Sequence, residues 1–162
     1  MGKEEVERIK KEFSSLNLHP TYLKHEEVIT SKDAAKTRGF ELKQGIKAIL
    51  FTNGSNWAIT NIPADKKVDE KKVADILSWS KSKIRMAKPE EVFEKTGCEI
   101  GAVPPFGHKE KIKILVDNEI YNNEISTFNI GLRTDSVKIP TKEMKIIFNK
   151  LSIIEGDFIK SN

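Results

Sequence analysis

Lys47-Ala-Ile-Leu-Phe-Thr52 leads through Asn53-Gly54 into Trp57-Ala-Ile-Thr-Asn-Ile62. Both arms are apolar and carry strand-forming residues. Asn-Gly accepts the positive φ angles that tight turns require, so the stretch predicts a buried hairpin. Upstream, Val6, Ile9, Phe13 and Leu16 recur at helical spacing between Glu and Lys, which predicts an amphipathic helix over 3–16. His19-Pro20 breaks it, and a strand is expected near Tyr22–Val28. Thr30 and Asp33 have capping spacing for a helix running to about Arg38, with Gly39 as its stop.

Downstream, Val73, Ile76 and Leu77 mark a helix over roughly 69–79, and Ile84–Met86 reads as a short strand. Pro89-Glu90-Glu91 suits a first helical turn, since proline fits there and acids favour the positive helix end. Gly97 should stop that helix. Strands are expected at Ile112–Val116 and Val137–Ile139. Thr141 then opens a last helix with Met144, Ile147, Phe148 and Leu151 inward. Strands and helices alternate irregularly around a hairpin. The expected class is therefore α/β (α+β), a mixed, mostly antiparallel curved sheet flanked by helices, forming one domain over 1–162.

A net charge of +4 and a pI near 9.0 favour an acidic partner such as nucleic acid. Cys98 is the sole cysteine, which excludes an intramolecular disulfide and a cysteine-based zinc cluster. His19, His25 and His108 are scattered, so neither a metal nor another cofactor is expected. No run of about 18 apolar residues occurs and Met1–Lys11 is charged, which points to a cytoplasmic chain with no membrane partner.

Gly101-Ala-Val-Pro-Pro-Phe-Gly107 is the most unusual segment. Two prolines fix φ and two glycines open conformations closed to other residues, which makes a rigid loop able to aim backbone amides. Pro104 and Pro105 offer no N–H. Lys47 starts an apolar strand, where it could present one fixed positive charge or simply be solvated. His25 and Glu26 would point to opposite faces of a strand and so form no dyad. Cys98 has no activating base nearby and reads as a structural thiol. Two basic runs stand out: Lys81, Lys83, Arg85 and Lys88 beside Trp79, and the alternating Lys109, Lys111 and Lys113, which on a strand would share a face. Either run could track a phosphate backbone, and either could be plain wet surface.

Gly101-Ala-Val-Pro-Pro105 resembles the Gly-x-x-x-Pro loop of the YbaK/ProX family of aminoacyl-tRNA editing domains, which also occurs as an insertion in bacterial prolyl-tRNA synthetases. Four further segments agree in order: Thr30-Ser-Lys-Asp-Ala-Ala35, Gly45-Ile-Lys-Ala-Ile-Leu50, Thr96-Gly97 with Phe106-Gly107, and Asn129-Ile-Gly131-Leu-Arg133. The resemblance implies a trans-acting hydrolase that deacylates tRNA mischarged with a small amino acid (Ala, Cys or Ser-like), with the proline tRNA as one substrate. It implies mischarged tRNA as partner and allows a synthetase as a second one. Carried over, Lys47 is the catalytic residue, stabilising the substrate end. The Ala102 and Val103 amides would bind the aminoacyl carbonyl, while Gly101, Pro104, Pro105, Phe106 and Gly107 shape the loop and belong with them to the substrate-binding residues. His25 is similar to a histidine on the first strand of some members and would also bind substrate, and Gly131 would admit the terminal adenosine. Pro104 departs from the Ser or Thr of many relatives. That departure leaves a rival reading: a catalytically silent module of the same fold that binds tRNA or a synthetase.

Overall fold

The computed structural model describes residues 2–27 and 41–161. The expected helix from Thr30 to Arg38 and the end of the expected strand at Val28 lie outside them. Helix α1 (Lys3–Ser15) buries Val6, Ile9 and Phe13, as the spacing requires, together with Glu5. Strand β1 (Thr21–Lys24) ends before His25. β2 (Ile46–Thr52) and β3 (Trp57–Pro63) form the predicted hairpin, in a register that sets Lys47 opposite Ile62 and Ala48 opposite Asn61. Their connection is longer than a two-residue turn. Asn53 Oδ1 accepts the amides of Ser55 and Asn56, and Gly54 takes φ +100°.

Asp69 caps α2 (Glu70–Leu77) by accepting the Lys71 and Lys72 amides. After β4 (Arg85–Met86), helix α3 (Pro89–Thr96) starts on its proline. It is held by Glu91 reaching back to the Lys88 amide and stops at Gly97, φ +80°. β5 (Lys113–Asp117), β6 (Ile125–Asn129), β7 (Asp135–Pro140), α4 (Thr141–Lys150) and β8 (Ile154–Gly156) complete the described chain. Met144, Ile147 and Phe148 of α4 are buried, whereas Leu151 is the residue after its last turn and is exposed.

The fold is α+β, with two sheets where one curved sheet was expected. β1-β7-β6 is fully antiparallel; β4-β2-β3-β5-β8 joins antiparallel β4, β2 and β3 to parallel β5 and β8. A parallel bridge from Gly45 to Thr127 links the two sheets. β6 and β8 escape sequence reading for physical reasons. β6 buries Ser126 and Thr127 beside Phe128, so its hydrophobic alternation is erased, and Ser126 is satisfied by the Thr141 hydroxyl at 2.7 Å. β8 has three residues and exists through its pairing with β5.

One face of the larger sheet packs Phe51 and Ile62 on Val73 and Ala74 of α2, with Phe158. The other packs Leu50 and Ile59 on Val92 of α3, Cys98 and Val103. A third cluster joins α1, α4, β6 and β7 around Phe106. Among the described residues, no helix is long and apolar enough to cross a membrane.

Candidate functional site

The Gly/Pro loop is pinned from below. Phe106 is fully buried, edge-on to Phe13, Phe128 and Phe148 with centroids 5.7, 6.0 and 6.2 Å away. It is a core anchor, which corrects its expected place among the substrate-binding residues. Asn61 Nδ2 donates to Pro105 O and to Leu115 O, both at 3.2 Å, tying the loop to β3 and β5. His108 Nε2–H donates to Pro104 O at 2.7 Å; a carbonyl can only accept, which fixes this tautomer. Neither Asn61 nor His108 carried a sequence signal, because each acts through a backbone carbonyl that only the fold brings near.

The two expected amide donors fare differently. Ala102 N–H is already donated to Glu99 O at 3.0 Å, so it is not available as drawn from the resemblance. Val103 N–H has no protein acceptor among the described residues. Ala102 O in turn accepts Gly131 N–H at 3.0 Å, which joins the loop to the β6–β7 turn. Ala102 and Gly131 line one small cleft of about 120 Å³ with Glu27, Glu99 and Arg133. Arg133 is fully engaged there by Glu27, Glu99 and Ile100 O.

Helix α1 explains the glycines. A Cβ on Gly131 (φ +121°) would stand 2.8 Å from Glu5 Cβ and from Gly2 O, and one on Gly97 would stand 2.6 Å from the Glu5 carboxylate. Glu5 therefore lies between the two glycines, paired with Arg8, whose Nε donates to Gly107 O at 3.2 Å. In the direction a side chain would take, the close approach that Gly131 permits is to α1. Burial pushes the Cys98 thiol up to about 12, with Glu5 adding to the effect, so it stays protonated and inert.

Burial, with Arg8 nearby, lowers His108 to about 4 from its ordinary 6.5. The unfolded chain therefore binds this proton first as pH falls. Stability is full above about 6.5 and declines through the window down to about 4. His108→Gln, which can still donate to Pro104 O, should flatten that decline in urea unfolding followed across pH 4–7. An unchanged slope would assign the acid sensitivity to other groups.

Lys47 lies on the opposite face of β2 from this loop. Its neighbour Ala48 pairs with Asn61, the residue that reaches the loop, and strand side chains alternate. Lys47 instead pairs with Ile62 and is half-buried, with no ion pair among the described residues. Desolvation lowers its pKa; Asp65 partly opposes this and Lys67 adds to it. The isolated parallel bridge joins Gly45, two residues before Lys47, to Thr127, two residues before Asn129. Asn129 pairs directly with Ser136, and the Ser136 hydroxyl meets His25 Nε2 at 2.7 Å.

The expected residues thus fall into two groups. Lys47 follows the Gly45–Thr127 bridge between the sheets, and the Asn129–Ser136 pair with His25 lies on the sheet joined there, whereas Val103 leads the Gly/Pro loop on the far side of β2. His25 Nδ1–H donates to Glu26 O at 2.8 Å, and Nε2 shares a hydrogen bond with the Ser136 hydroxyl. β1 ends at Lys24, so strand alternation does not decide the geometry of His25 and Glu26 as expected. The partner of His25 is Ser136, which sequence reading missed. Ser136 is fully buried, which makes it an orienting group and not a nucleophile.

The comparisons cover the same elements. The profile of the aminoacyl-tRNA editing domain matches residues 25–146, which include Lys47, the Gly/Pro loop, Asn129 and Ser136. The chain is 34% identical over 125 residues to the multifunctional Ser/Thr-tRNA deacylase ProXp-y of Escherichia coli, covering 74% of this chain and 73% of that protein. It is 24% identical over 136 residues to the proline–tRNA ligase of a Thermoanaerobacter species, covering 80% of this chain and 24% of the ligase. A solved structure assigned as a trans-editing enzyme for prolyl tRNA synthetase superposes with a TM-score of 0.82 at 21% identity, over 97% of this chain and 98% of that one, and so shares the fold. With the profile spanning most of its length, this chain belongs to the aminoacyl-tRNA editing domain family.

Proposed function

We propose that this chain acts in trans to hydrolyse tRNAs mischarged with a small amino acid, serine and threonine first among them, the proline tRNA being one substrate. The observation that carries the proposal is the family match running through Lys47 and the Gly/Pro loop, joined to the relative named for Ser/Thr-tRNA deacylation. The chemical need is general. One methylene in an apolar pocket discriminates by only about 1–3 kcal/mol, so synthesis of aminoacyl-tRNA leaves errors for a second site to remove.

In this reading the substrate end passes the rim of β2, so that Lys47 on one face holds its negative oxygens while the Val103 amide on the other faces the carbonyl oxygen as it becomes an oxyanion. Water adds to the ester carbon, the carbon–oxygen bond to the ribose breaks, and the ribose oxygen takes the proton. His25, bonded through both nitrogens, keeps Ser136 and the neighbouring strand in place. Pro104 supports the rival reading, a silent tRNA- or synthetase-binding module, because it replaces a hydroxyl and an N–H with a ring.

A panel of tRNAs charged with Ala, Ser, Cys, Thr and Pro separates the two. Hydrolysis of the seryl and threonyl species with prolyl-tRNA spared is the expected result. No turnover of any species, alongside salt-sensitive tRNA binding, would favour the silent module.

A further inference from the structure

The two basic runs are far apart in sequence, yet the structure brings Trp79, beside the first, into one groove with two lysines of the second. Neither run is as free as its composition implied. Lys81 pairs with Asp75 and Arg85 with Glu91, and Lys109 and Lys111 precede β5, so strand alternation does not align them with Lys113. What converges is Trp79, next to the first run, with Lys111 and Lys113 of the second. They line a groove of about 540 Å³ that also holds Trp57, Lys95 and the β2–β3 connection. Lys95 lies 5.1 Å from the centroid of the Trp57 ring and pairs with Glu110 at 3.4 Å, so the one acid in the lining is already compensated. Lys111 and Lys113 are exposed, with no ion pair among the described residues.

We infer that this groove is a second contact surface for the tRNA, holding an RNA strand away from the ester that is cleaved. The inference rests on the proposed function only in naming tRNA as the polyanion. Its support is the pairing of unneutralised lysines with two half-buried indoles, the combination that follows a phosphate backbone while offering flat faces to bases. Asn53, Ser55 and Asn56 add neutral hydrogen-bonding groups at one wall. Position agrees as well: a strand rise of ~3.3 Å per residue puts Asn53 about 20 Å along β2 from Lys47. A tRNA whose charged end lies at Lys47 covers that distance within its first several nucleotides. An acidic peptide would match the lysines but would make no stacking use of the part of each indole left outside the core.

Both tryptophans of the protein line this groove, so its occupancy is read directly by intrinsic fluorescence. Uncharged tRNA should quench the emission, and binding followed by anisotropy should give the same midpoint. The double variant Lys111→Gln/Lys113→Gln should weaken binding about tenfold near 0.1 M salt and lower the slope of log K against log salt by about 1.5–2. Its hydrolysis of a short seryl-adenosine ester, too small to reach the groove, should match wild type. Binding with unchanged emission, an unchanged salt slope in the double variant, or equal quenching by polyglutamate would each overturn the inference. If the ester is inert to wild type while tRNA still quenches, the deacylase reading falls and the groove stands.

Discussion

Lys47→Ala should lower seryl-tRNA deacylation by roughly 10²- to 10³-fold while leaving the folded state intact, the range found when one preorganised donor to a developing charge is removed. The stability half of this expectation follows from burial. Lys47 is a half-buried cation without an ion pair among the described residues, and desolvation lowers its pKa. Such a charge costs stability in the free protein, so alanine should be neutral or slightly stabilising. The activity half follows from the same fact. A charge kept where it is partly desolvated attracts an incoming anion more strongly than a solvated one does. Asp65 and Lys67 act on it in opposite senses, so neither neutralises it outright. Lys47→Arg keeps the charge but spreads it over a plane, and should recover activity only in part. Full turnover in Lys47→Ala would move the electrostatic role elsewhere; unfolding of the variant would show that the lysine serves the strand.

The hairpin that carries Lys47 was legible because its information is local. Two apolar arms and Asn53-Gly54 specify it without reference to the rest of the chain, and the capping of α2 and α3 is local in the same way. The site is less legible because it is made of non-local pairs. Asn61 meets Pro105 across 44 residues and His25 meets Ser136 across 111, and no spacing rule reaches so far. The resemblance supplied Lys47 and the Gly/Pro loop, yet it placed them together in one pocket. The β2–β3 register separates their faces, since Lys47 opposes Ile62 while Ala48 opposes Asn61. It also gave two loop amides equal standing, although the Ala102–Glu99 hydrogen bond leaves Val103 as the one without an acceptor among the described residues.

Glycines show the same division. Gly97 was legible as a helix stop, because αL geometry after a helix is a local demand. Gly131 was legible only as a place of close approach. What approaches, the Glu5 side chain and the Gly2 carbonyl, comes from the far end of the chain. Buried Glu5, paired with a partly exposed Arg8 beneath two glycines and the Gly107 carbonyl, makes α1 part of the loop's support, although the profile match begins at residue 25.

That support has one member whose loss should dominate all others. Phe106→Ala should cost about 3–5 kcal/mol, the usual range for emptying a fully buried aromatic position. Phe106 sits at the meeting point of three rings from α1, β6 and α4 and is fully buried. Set against a typical total of about 5–15 kcal/mol, the loss takes a large share of the stability and should lower Tm by about 10 °C or more. Function should suffer beyond the unfolded fraction, because Phe106 follows Pro105 directly and anchors the segment that presents Val103. Phe106→Leu, which leaves a smaller cavity, should lose less stability and retain more deacylation per folded molecule. Urea unfolding of the three proteins, with turnover corrected for folded fraction, tests both parts. A Phe106→Ala protein within about 1 kcal/mol of wild type would mean that the aromatic cluster repacks and the loop is held by Asn61 and His108 alone. Equal stability loss with full corrected turnover would keep the anchor but detach it from the chemistry.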